Sequence, residues 1–359
     1  MSNKCEYDMC NKGITHILEV IFAFIIILHH VSVSQLSQLY YKNELNLFSE
    51  VGVYCIGFFL FTYGYSIMKR FMNTGFISFF KTRILPIIVT FFFCNYAYML
   101  ITQLMGQRYD TVKLISAFFG IQLLNDQMWF AVVLIILYVL FWLVFKHVKN
   151  RKAAMALYLM LILIIMMGSM FQGHIPRQQI VTNWFYGEWW YNTMPCFFLG
   201  MLYATSAEAV NKIIDKLWWA IVPVFAAVMV ICYRYTHIRL YYGGYWTDTA
   251  FDVHLKDKLL TLGCQLPSVV AFLVVMVVLI RKININIKGL GIIRAFTLEL
   301  ILINNIFIYV CIHIDNHLSI ASFLVLEIGF TYISAFILNL CRNMVLGTGL
   351  HDIFKTSDN

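Results

Sequence analysis

Apolar stretches long enough to cross a bilayer follow one another along almost the whole chain, separated by shorter polar segments. A helix that crosses the hydrocarbon region needs about 20 predominantly apolar residues, because each residue advances the helix by about 1.5 Å. The pattern predicts an all-α integral membrane protein, a polytopic bundle of about ten transmembrane helices. The predicted spans are 14–34, 51–68, 84–105, 128–145, 153–170, 190–206, 218–233, 258–280, 292–313 and 318–341.

The spans leave too little chain between them for a separate soluble domain. We therefore predict a single transmembrane domain over residues 1–345, followed by a short polar C-terminal tail over 346–359. Composition agrees with this class, since 61% of the residues are hydrophobic and 12% are charged, whereas soluble domains carry about 25% charged residues.

The net charge of +8 is unevenly distributed across the predicted membrane. More than two thirds of the 26 Lys and Arg residues fall on the side that holds the N-terminus. Because Lys and Arg concentrate in cytoplasmic loops, both termini are predicted to be cytoplasmic. The same rule accounts for the basic charge without a nucleic-acid partner.

Longer connections, at 106–127, 171–189 and 234–257, then face the outside. Two segments there alternate aromatic and hydrogen-bonding residues, NWFYGEWWYN at 183–192 and YYGGYWTD at 241–248. Such segments suit the flat faces and hydroxyls of sugars, and they are equally typical of an aromatic belt at the membrane interface.

The first span carries ionisable residues that are costly inside a membrane and often mark a functional site. Glu19 and His30 fall within about 20° of each other on the helix surface, roughly 16 Å apart along its axis. His30, or its neighbour His29, is the strongest candidate for a catalytic base, because imidazole accepts a proton near neutral pH. The alternatives are an interfacial histidine and, for Glu19, a structural pair with a basic group such as His16.

Two further groups of residues are candidates for substrate contacts. Arg70, Lys81 and Arg83 form a basic cluster in a predicted cytoplasmic loop, where they suit either lipid phosphates or the phosphates of a nucleotide-bearing donor. Asp126 and Trp129 stand where an outer connection leads into the fourth span. They fit the mouth of a substrate path or an ordinary interfacial anchor.

The ninth span contains two consecutive amides, Asn304 and Asn305, inside an apolar helix. They either bridge helices by hydrogen bonds or orient a buried substrate. Helical spacing puts Arg294, Thr297 and Asn305 near one face and directs Glu299 elsewhere.

Motifs of soluble enzymes and metal sites are missing from the sequence. The nine cysteines have no CxxC spacing, and there is no GxSxG, HExxH or Walker motif. We predict no metal site and no bound cofactor.

Several segments, in order and spacing, resemble the membrane acyltransferase family known as acyltransferase 3, whose members move acyl groups, commonly acetyl, onto surface glycans, lipids or antibiotics. They are IIILHHVS in the first span, GVYCIGFFLFTYGY in the second, FFKTRILP before the third, MWF opening the fourth, PCFFLGMLYA in the sixth and FTLELILINN in the ninth.

The resemblance assigns roles to individual residues. His30 matches the essential histidine of the family, and Glu19 stands where the family has an arginine. Tyr63 replaces a serine and Asn304 replaces a histidine, whereas Arg83 matches a basic residue before the third span. Lys12 and Arg83 are candidates to replace the positive charge of the family arginine that Glu19 has displaced.

Acyl-CoA, in the commonest case acetyl-CoA, is the implied donor, bound from the cytoplasm by Lys81, Arg83 and Arg70. The implied acceptor is a hydroxyl of a glycan or glycolipid, and the setting is a bacterial inner membrane with its lipids. His30 would act as general base or would carry the acyl group itself. The residues implied in substrate binding are Tyr63, Asp126, Trp129, Asn304 and Asn305.

Two other functions remain open from the sequence. A proton-linked transporter or flippase of a glycan intermediate would also use ionisable residues inside spans. A catalytically silent relative would explain the residues at 19, 63 and 304.

Overall fold

The structure, a computed structural model, describes residues 13–34, 45–72, 74–172, 185, 188–242, 248–249, 251–283, 285, 287, 290–314 and 318–347. Part of the aromatic segment 183–192, most of the segment 241–248 and most of the tail 346–359 lie outside these residues, and Lys12 lies wholly outside them.

The described chain is built from helices, numbered here in chain order. They are α1 (Gly13–Val33), α2 (Gly52–Arg70), α3 (Phe76–Leu104), α4 (Thr111–Phe118), α5 (Trp129–His147), α6 (Arg151–Met170), α7 (Glu188–Tyr191), α8 (Pro195–Tyr242), α9 (Leu255–Lys282), α10 (Leu290–Arg294), α11 (Thr297–Ile303), α12 (Ile306–Ile314) and α13 (Ile320–Leu346).

Eight of the helices within the described residues are long and apolar enough to cross a membrane. Large apolar side chains on their surfaces are exposed, as at Val325, Ile333 and Val345 of α13. Apolar surface of this extent is stable against lipid rather than against water. The prediction of an all-helical integral membrane protein is therefore confirmed. Two predicted features look different: the sixth and seventh spans form the single helix α8, and the ninth is divided into α10, α11 and α12.

Helix α8, of 48 residues, bends back on itself. A Cβ atom on Gly57 would lie 3.4 Å from Cys196 Sγ and 2.6 Å from Val269 Cγ1, so these two residues are neighbours. The Ser268 hydroxyl donates to the Met229 carbonyl oxygen over 3.0 Å. Bond lengths therefore place Cys196 and Met229 within about 25 Å, whereas a straight helix would separate them by about 50 Å.

The chain divides into two compact units, each considered on its own. The first unit comprises Ile56–Phe76 and Ile136–Asn284, and the second comprises Gly13–Cys55, Ile77–Ile135 and Ile285–Asn359.

In the first unit, the C-terminal part of α8 runs antiparallel to α9. Asp215 pairs with Arg281 over 2.5 Å and with Lys282 over 3.3 Å at one end of this hairpin. Arg239 and Asp257 approach to 3.8 Å at the other end.

The N-terminal part of α8 packs against α2 at backbone distance. A side chain on Gly64 would collide with the Phe197 carbonyl oxygen, and one on Gly200 would collide with the Phe61 carbonyl oxygen. Small residues permit such close approach in membrane proteins, where association relies on tight packing. Gly64 and Gly200 are thus the positions at which the two helix backbones approach each other.

We expect Gly64→Ala to destabilise the protein by about 1–3 kcal/mol, because the added methyl group meets backbone atoms that have little room to move. Thermal unfolding of the purified protein in detergent would measure the loss. Gly168→Ala on α6 is the matched control, since nothing among the described residues lies within 4 Å of the added atom. The control should be neutral or slightly stabilising, because alanine favours helix. An equal loss in both variants would contradict the packing explanation.

A fully buried ion pair joins Lys258 of α9 to Asp248, which precedes that helix, in the same unit. Lys258 Nζ lies 2.9 Å from Asp248 Oδ2, and neither side chain is exposed. The ammonium also donates to the Met170 carbonyl oxygen over 3.3 Å and to the Gln172 carbonyl oxygen. These acceptors offset the cost of removing the charge from water.

In the second unit, α1 packs against α10 and α11, and α11 packs in turn against α3 and α13. Helix α12 packs against α13 and α3. The end of α1 joins a buried apolar cluster with α12 and α13, made by Val31, Leu45, Ile308, Cys311 and Phe323. Because Val31 follows the histidine pair, this cluster packs the end of α1 against α12 and α13.

Candidate functional site

The second unit contains nine of the predicted site residues: Glu19, His29, His30, Lys81, Arg83, Asp126, Trp129, Asn304 and Asn305. Tyr63 and Arg70 belong to the first unit.

The two neighbouring histidines of α1 have different surroundings. His29 Nδ1 lies 2.9 Å from the Phe48 carbonyl oxygen. Since a carbonyl oxygen only accepts, this nitrogen carries the proton. The missing side chain of Gly52 makes room for the His29 ring, because a Cβ there would lie 2.5 Å from the ring carbon Cδ2. These contacts fix the orientation of the His29 ring.

His30 lies beside it, with the ring centres 5.1 Å apart. Its Nδ1 is buried and has no hydrogen-bond partner among the residues that the structure describes. An imidazole nitrogen in this condition is available for a substrate or a water molecule. Of the two histidines, His30 therefore fits the role of base or nucleophile better.

Glu19 forms an ion pair with Arg294 Nε, within hydrogen-bonding distance. The Glu19 side chain is 9% exposed and that of Arg294 is 40% exposed. The sequence analysis proposed His16 as partner and proposed Lys12 or Arg83 as the compensating cation. The structure places Arg294, at the end of α10, beside Glu19, and Lys12 lies outside the described residues.

A second ion pair lies where α10 gives way to α11. Arg342 Nη1 is 2.7 Å from Glu299 Oε1, and the Thr90 hydroxyl donates to the same carboxylate over 3.1 Å. Asn339 and Arg342 both donate to the Ala295 carbonyl oxygen, over 2.8 and 3.3 Å. These side chains occupy a carbonyl group that a continuous helix would use for itself, and so they stabilise the break.

The break between α11 and α12 is stabilised in the same way. Asn125 Nδ2 donates to the Leu302 carbonyl oxygen over 3.0 Å, and Asn305 Nδ2 reaches Asn125 Oδ1 at 3.5 Å. Asn125 Oδ1 also accepts the Gln127 backbone N–H over 3.1 Å. Asn125 thus connects the broken helix to the short turn that precedes Trp129.

This connection brings together four of the predicted substrate-binding residues. Asn304 and Asn305 form the break, and Asp126 and Trp129 flank the turn that Asn125 attaches to it. Trp129 is buried and Asp126 is exposed. The turn therefore joins a solvent-facing carboxylate to a buried group of amides.

Asn304 is the least satisfied of these amides. It is fully buried, and neither its Oδ1 nor its Nδ2 has a hydrogen-bond partner within the described part of the chain. A buried amide without partners costs roughly 1–3 kcal/mol, so its presence needs an explanation other than stability.

We expect Asn304→Leu, which keeps the volume and removes the polar atoms, to raise stability by about 1 kcal/mol and to lower activity. Unfolding in detergent and acyl transfer would be measured on the same preparation. Asn339→Leu is the matched control: it removes a donor to the Ala295 carbonyl oxygen and should lower stability by about 1–3 kcal/mol. A large loss of stability in Asn304→Leu would show that the amide is structural.

The basic residues before the third span lie on an irregular turn. Phe80–Ile84, at the start of α3, is π-helical, and Pro86 follows it. Such turns are often found at functional sites, because they redirect side chains within a helix. Lys81 is exposed and Arg83 is half-buried, which leaves the Lys81 ammonium accessible to an anion.

In the first unit, Tyr63 is half-buried with its ring centre 6.3 Å from that of Phe59, and Arg70 is exposed at the end of α2. No group of three or more His, Cys, Asp or Glu residues in the described ranges is placed to hold a metal ion.

Three polar residues of the second unit, Asn125, Glu327 and Arg342, were not singled out from the sequence. Asn125 and Arg342 contact residues that are distant in the sequence. In the sequence, each is merely a polar residue next to an apolar run. Glu327 of α13 is fully buried and accepts the Thr331 hydroxyl over 3.2 Å. A carboxyl inside an apolar span is a signal that could have identified it.

Comparison with known proteins gives one result. A family model described as an acyltransferase domain, that of acyltransferase 3, matches residues 16–341, nearly the whole chain. No match was found among curated proteins or among solved structures. The matched range includes every predicted site residue and the Glu19–Arg294 ion pair. The chain therefore belongs to the acyltransferase 3 family.

Proposed function

We propose that the protein is a membrane O-acyltransferase that moves an acetyl group from acetyl-CoA to a hydroxyl of a surface polysaccharide or related glycolipid. The observation that carries this proposal is the contrast between the histidines: His29 Nδ1 lies beside the Phe48 carbonyl oxygen, whereas His30 Nδ1 is buried with no hydrogen-bond partner among the described residues. Family membership supplies the class of reaction.

In the proposed reaction His30 takes the proton from the acceptor hydroxyl as its oxygen attacks the thioester carbonyl carbon. The carbon–sulfur bond breaks, and the CoA thiolate leaves and is protonated. In the alternative route, an imidazole nitrogen attacks the thioester first and carries the acetyl group to the acceptor. Both routes use an accessible imidazole and need no metal or bound cofactor.

The remaining predicted residues divide between the two substrates. Lys81, Arg83 and Arg70 would bind donor phosphates by charge-assisted hydrogen bonds. The amides Asn304 and Asn305, with Asp126, Trp129 and Tyr63, would orient the acceptor and the reacting carbonyl group.

We infer ten spans, with both termini in the cytoplasm, over one transmembrane domain of residues 1–345 and a polar tail. The bend in α8 supports two spans within one continuous helix, and the apolar segment Thr297–His313 supports a ninth span despite its break. Added to the other long helices, these give the predicted number. A glycan acceptor outside the cell favours a bacterial inner membrane.

Acetyl transfer from radiolabelled acetyl-CoA to envelope glycans tests the proposal. Membranes that contain the protein should label a glycan, and membranes prepared without it should not. Mild base should release the label, since an O-acetyl ester is cleaved under those conditions. If no glycan is labelled when a range of acyl-CoA donors and glycan acceptors is tried, the proposal is overturned.

A proton-linked transporter of a glycan intermediate is the second candidate, because a helix broken between α11 and α12 beside buried carboxyls is typical of transport sites. Uptake of labelled glycan lipid into proteoliposomes under a pH gradient, without acyl transfer, would favour it.

A further inference from the structure

An open cavity of about 270 Å³ in the first unit is lined by none of the site residues above. Its walls come from the segment that follows α2 and from the last turns of α5. We call it the aromatic slot, and its principal lining residues are Phe71, Phe76, Phe141, Trp142, Phe145 and Lys146.

The slot is apolar on its sides and cationic at one edge. The ring centres of Phe76 and Trp142 are 4.4 Å apart, and Phe141 and Phe145 stack at 4.7 Å. Lys146 Nζ lies 4.3 Å from the centre of the Trp142 ring. The described lining includes this cation and no carboxylate.

The size of the slot limits its occupant. Pockets that enclose a whole drug-sized molecule have about 300–1,000 Å³, so this cavity suits one ring system with the rest of the ligand outside. Aromatic walls bind nucleobases by stacking. Lys146, with Lys69 and Arg70 in the last turn of α2 that leads into the slot, suits phosphate groups next to that ring.

We propose that the aromatic slot binds the adenine ring of the acyl-CoA donor, with Lys146 facing its phosphates. This inference rests on the proposed function, which supplies a CoA donor, and on the proposed topology, which puts the ends of α2 and α5 at the cytoplasmic surface. A phospholipid is the competing occupant, because aromatic and basic residues also gather at membrane interfaces. Its acyl chain has no ring to stack, and that difference can be tested.

Two donors separate the possibilities. Acetyl-pantetheine carries the same thioester as acetyl-CoA without the adenosine and its phosphates. In Trp142→Leu we expect the KM for acetyl-CoA to rise about tenfold, the order of one lost base–aromatic stack, with kcat unchanged. Lys146→Gln should raise the same KM a few-fold. Neither variant should alter the KM or kcat for acetyl-pantetheine.

Matched controls come from the same unit. Trp219→Leu and Lys212→Gln remove an exposed tryptophan and an exposed lysine of α8, and they should leave both donors unaffected. If Trp142→Leu expresses poorly, Phe76→Leu removes the adjoining exposed ring of the slot, whose centre lies 4.4 Å from that of Trp142.

An unchanged KM for acetyl-CoA in Trp142→Leu and Phe76→Leu would overturn the inference. An equal rise for both donors would also overturn it and would favour a bound lipid or altered packing. Equilibrium binding of radiolabelled CoA to the purified protein, displaced by adenosine 3′,5′-bisphosphate, tests the slot without catalysis. The protein could bind CoA and lose that binding in Trp142→Leu while transferring no acyl group. That result would support the slot as a CoA site and would count against the proposed function.

Discussion

His30→Ala should lower acetyl transfer by about 10²–10⁴-fold, the usual contribution of a general base, and by more if the imidazole carries the acetyl group. Folding should be little affected, because His30 Nδ1 makes no hydrogen bond with the described residues that the substitution would break. Transfer of radiolabel to the acceptor and thermal unfolding, both in detergent, would measure the two effects.

His313→Ala is the matched control for this prediction. His313 is an exposed histidine of α12 in the same unit, with its Nδ1 2.8 Å from the Tyr309 carbonyl oxygen. Its removal should leave transfer unchanged. His29→Ala should lower stability as well as activity, because the Phe48 carbonyl group loses its donor. Full activity in His30→Ala would remove the central residue from the proposed mechanism.

Glu19→Arg should abolish transfer and lower stability by about 3 kcal/mol, because it places two guanidinium groups where the structure has an ion pair. Reversing both charges, with Glu19→Arg and Arg294→Glu together, should recover stability to within about 1 kcal/mol and recover part of the transfer. Unfolding and transfer assays on the two single variants and the double variant form a double-mutant cycle.

Glu19→Gln provides the milder comparison, with an expected loss of about 1–2 kcal/mol, since the partly exposed Arg294 can regain water. A gain of transfer in Glu19→Arg alone would have a different meaning. It would indicate that the family arginine is simply missing here and that the protein is a silent relative. Recovery only in the double variant would indicate an active site with the two charges exchanged.

Most of the fold could be predicted because hydrophobicity and span length are local properties of the chain. The first five spans, the eighth and the tenth are helices close to their predicted positions. The turn in α8 was harder to identify, because the residues between Tyr203 and Asp215 favour helix and contain no Gly or Pro. Contacts with α2 and α9 reveal the bend, and these are not local.

Individual residues of the candidate site could be predicted from the sequence, but the contacts between them could not. His30 and Asn304 were identified from their types and positions. The partner of Glu19 could not be, because Arg294 is 275 residues away. The breaks in the ninth span were equally hidden, since 297–308 has the composition of one helix and the side chains that stabilise the breaks come from Asn125, Asn339 and Arg342.

The separation of Glu19 from Arg294 also has a consequence for biosynthesis. At about 5–20 residues per second, the ribosome adds the 275 intervening residues in roughly 15–55 s. During that interval the first span holds a carboxyl group whose cation has not yet been made, and a charge at that depth costs a few kcal/mol. Chains that stop before residue 294 should therefore be prominent substrates of membrane quality control.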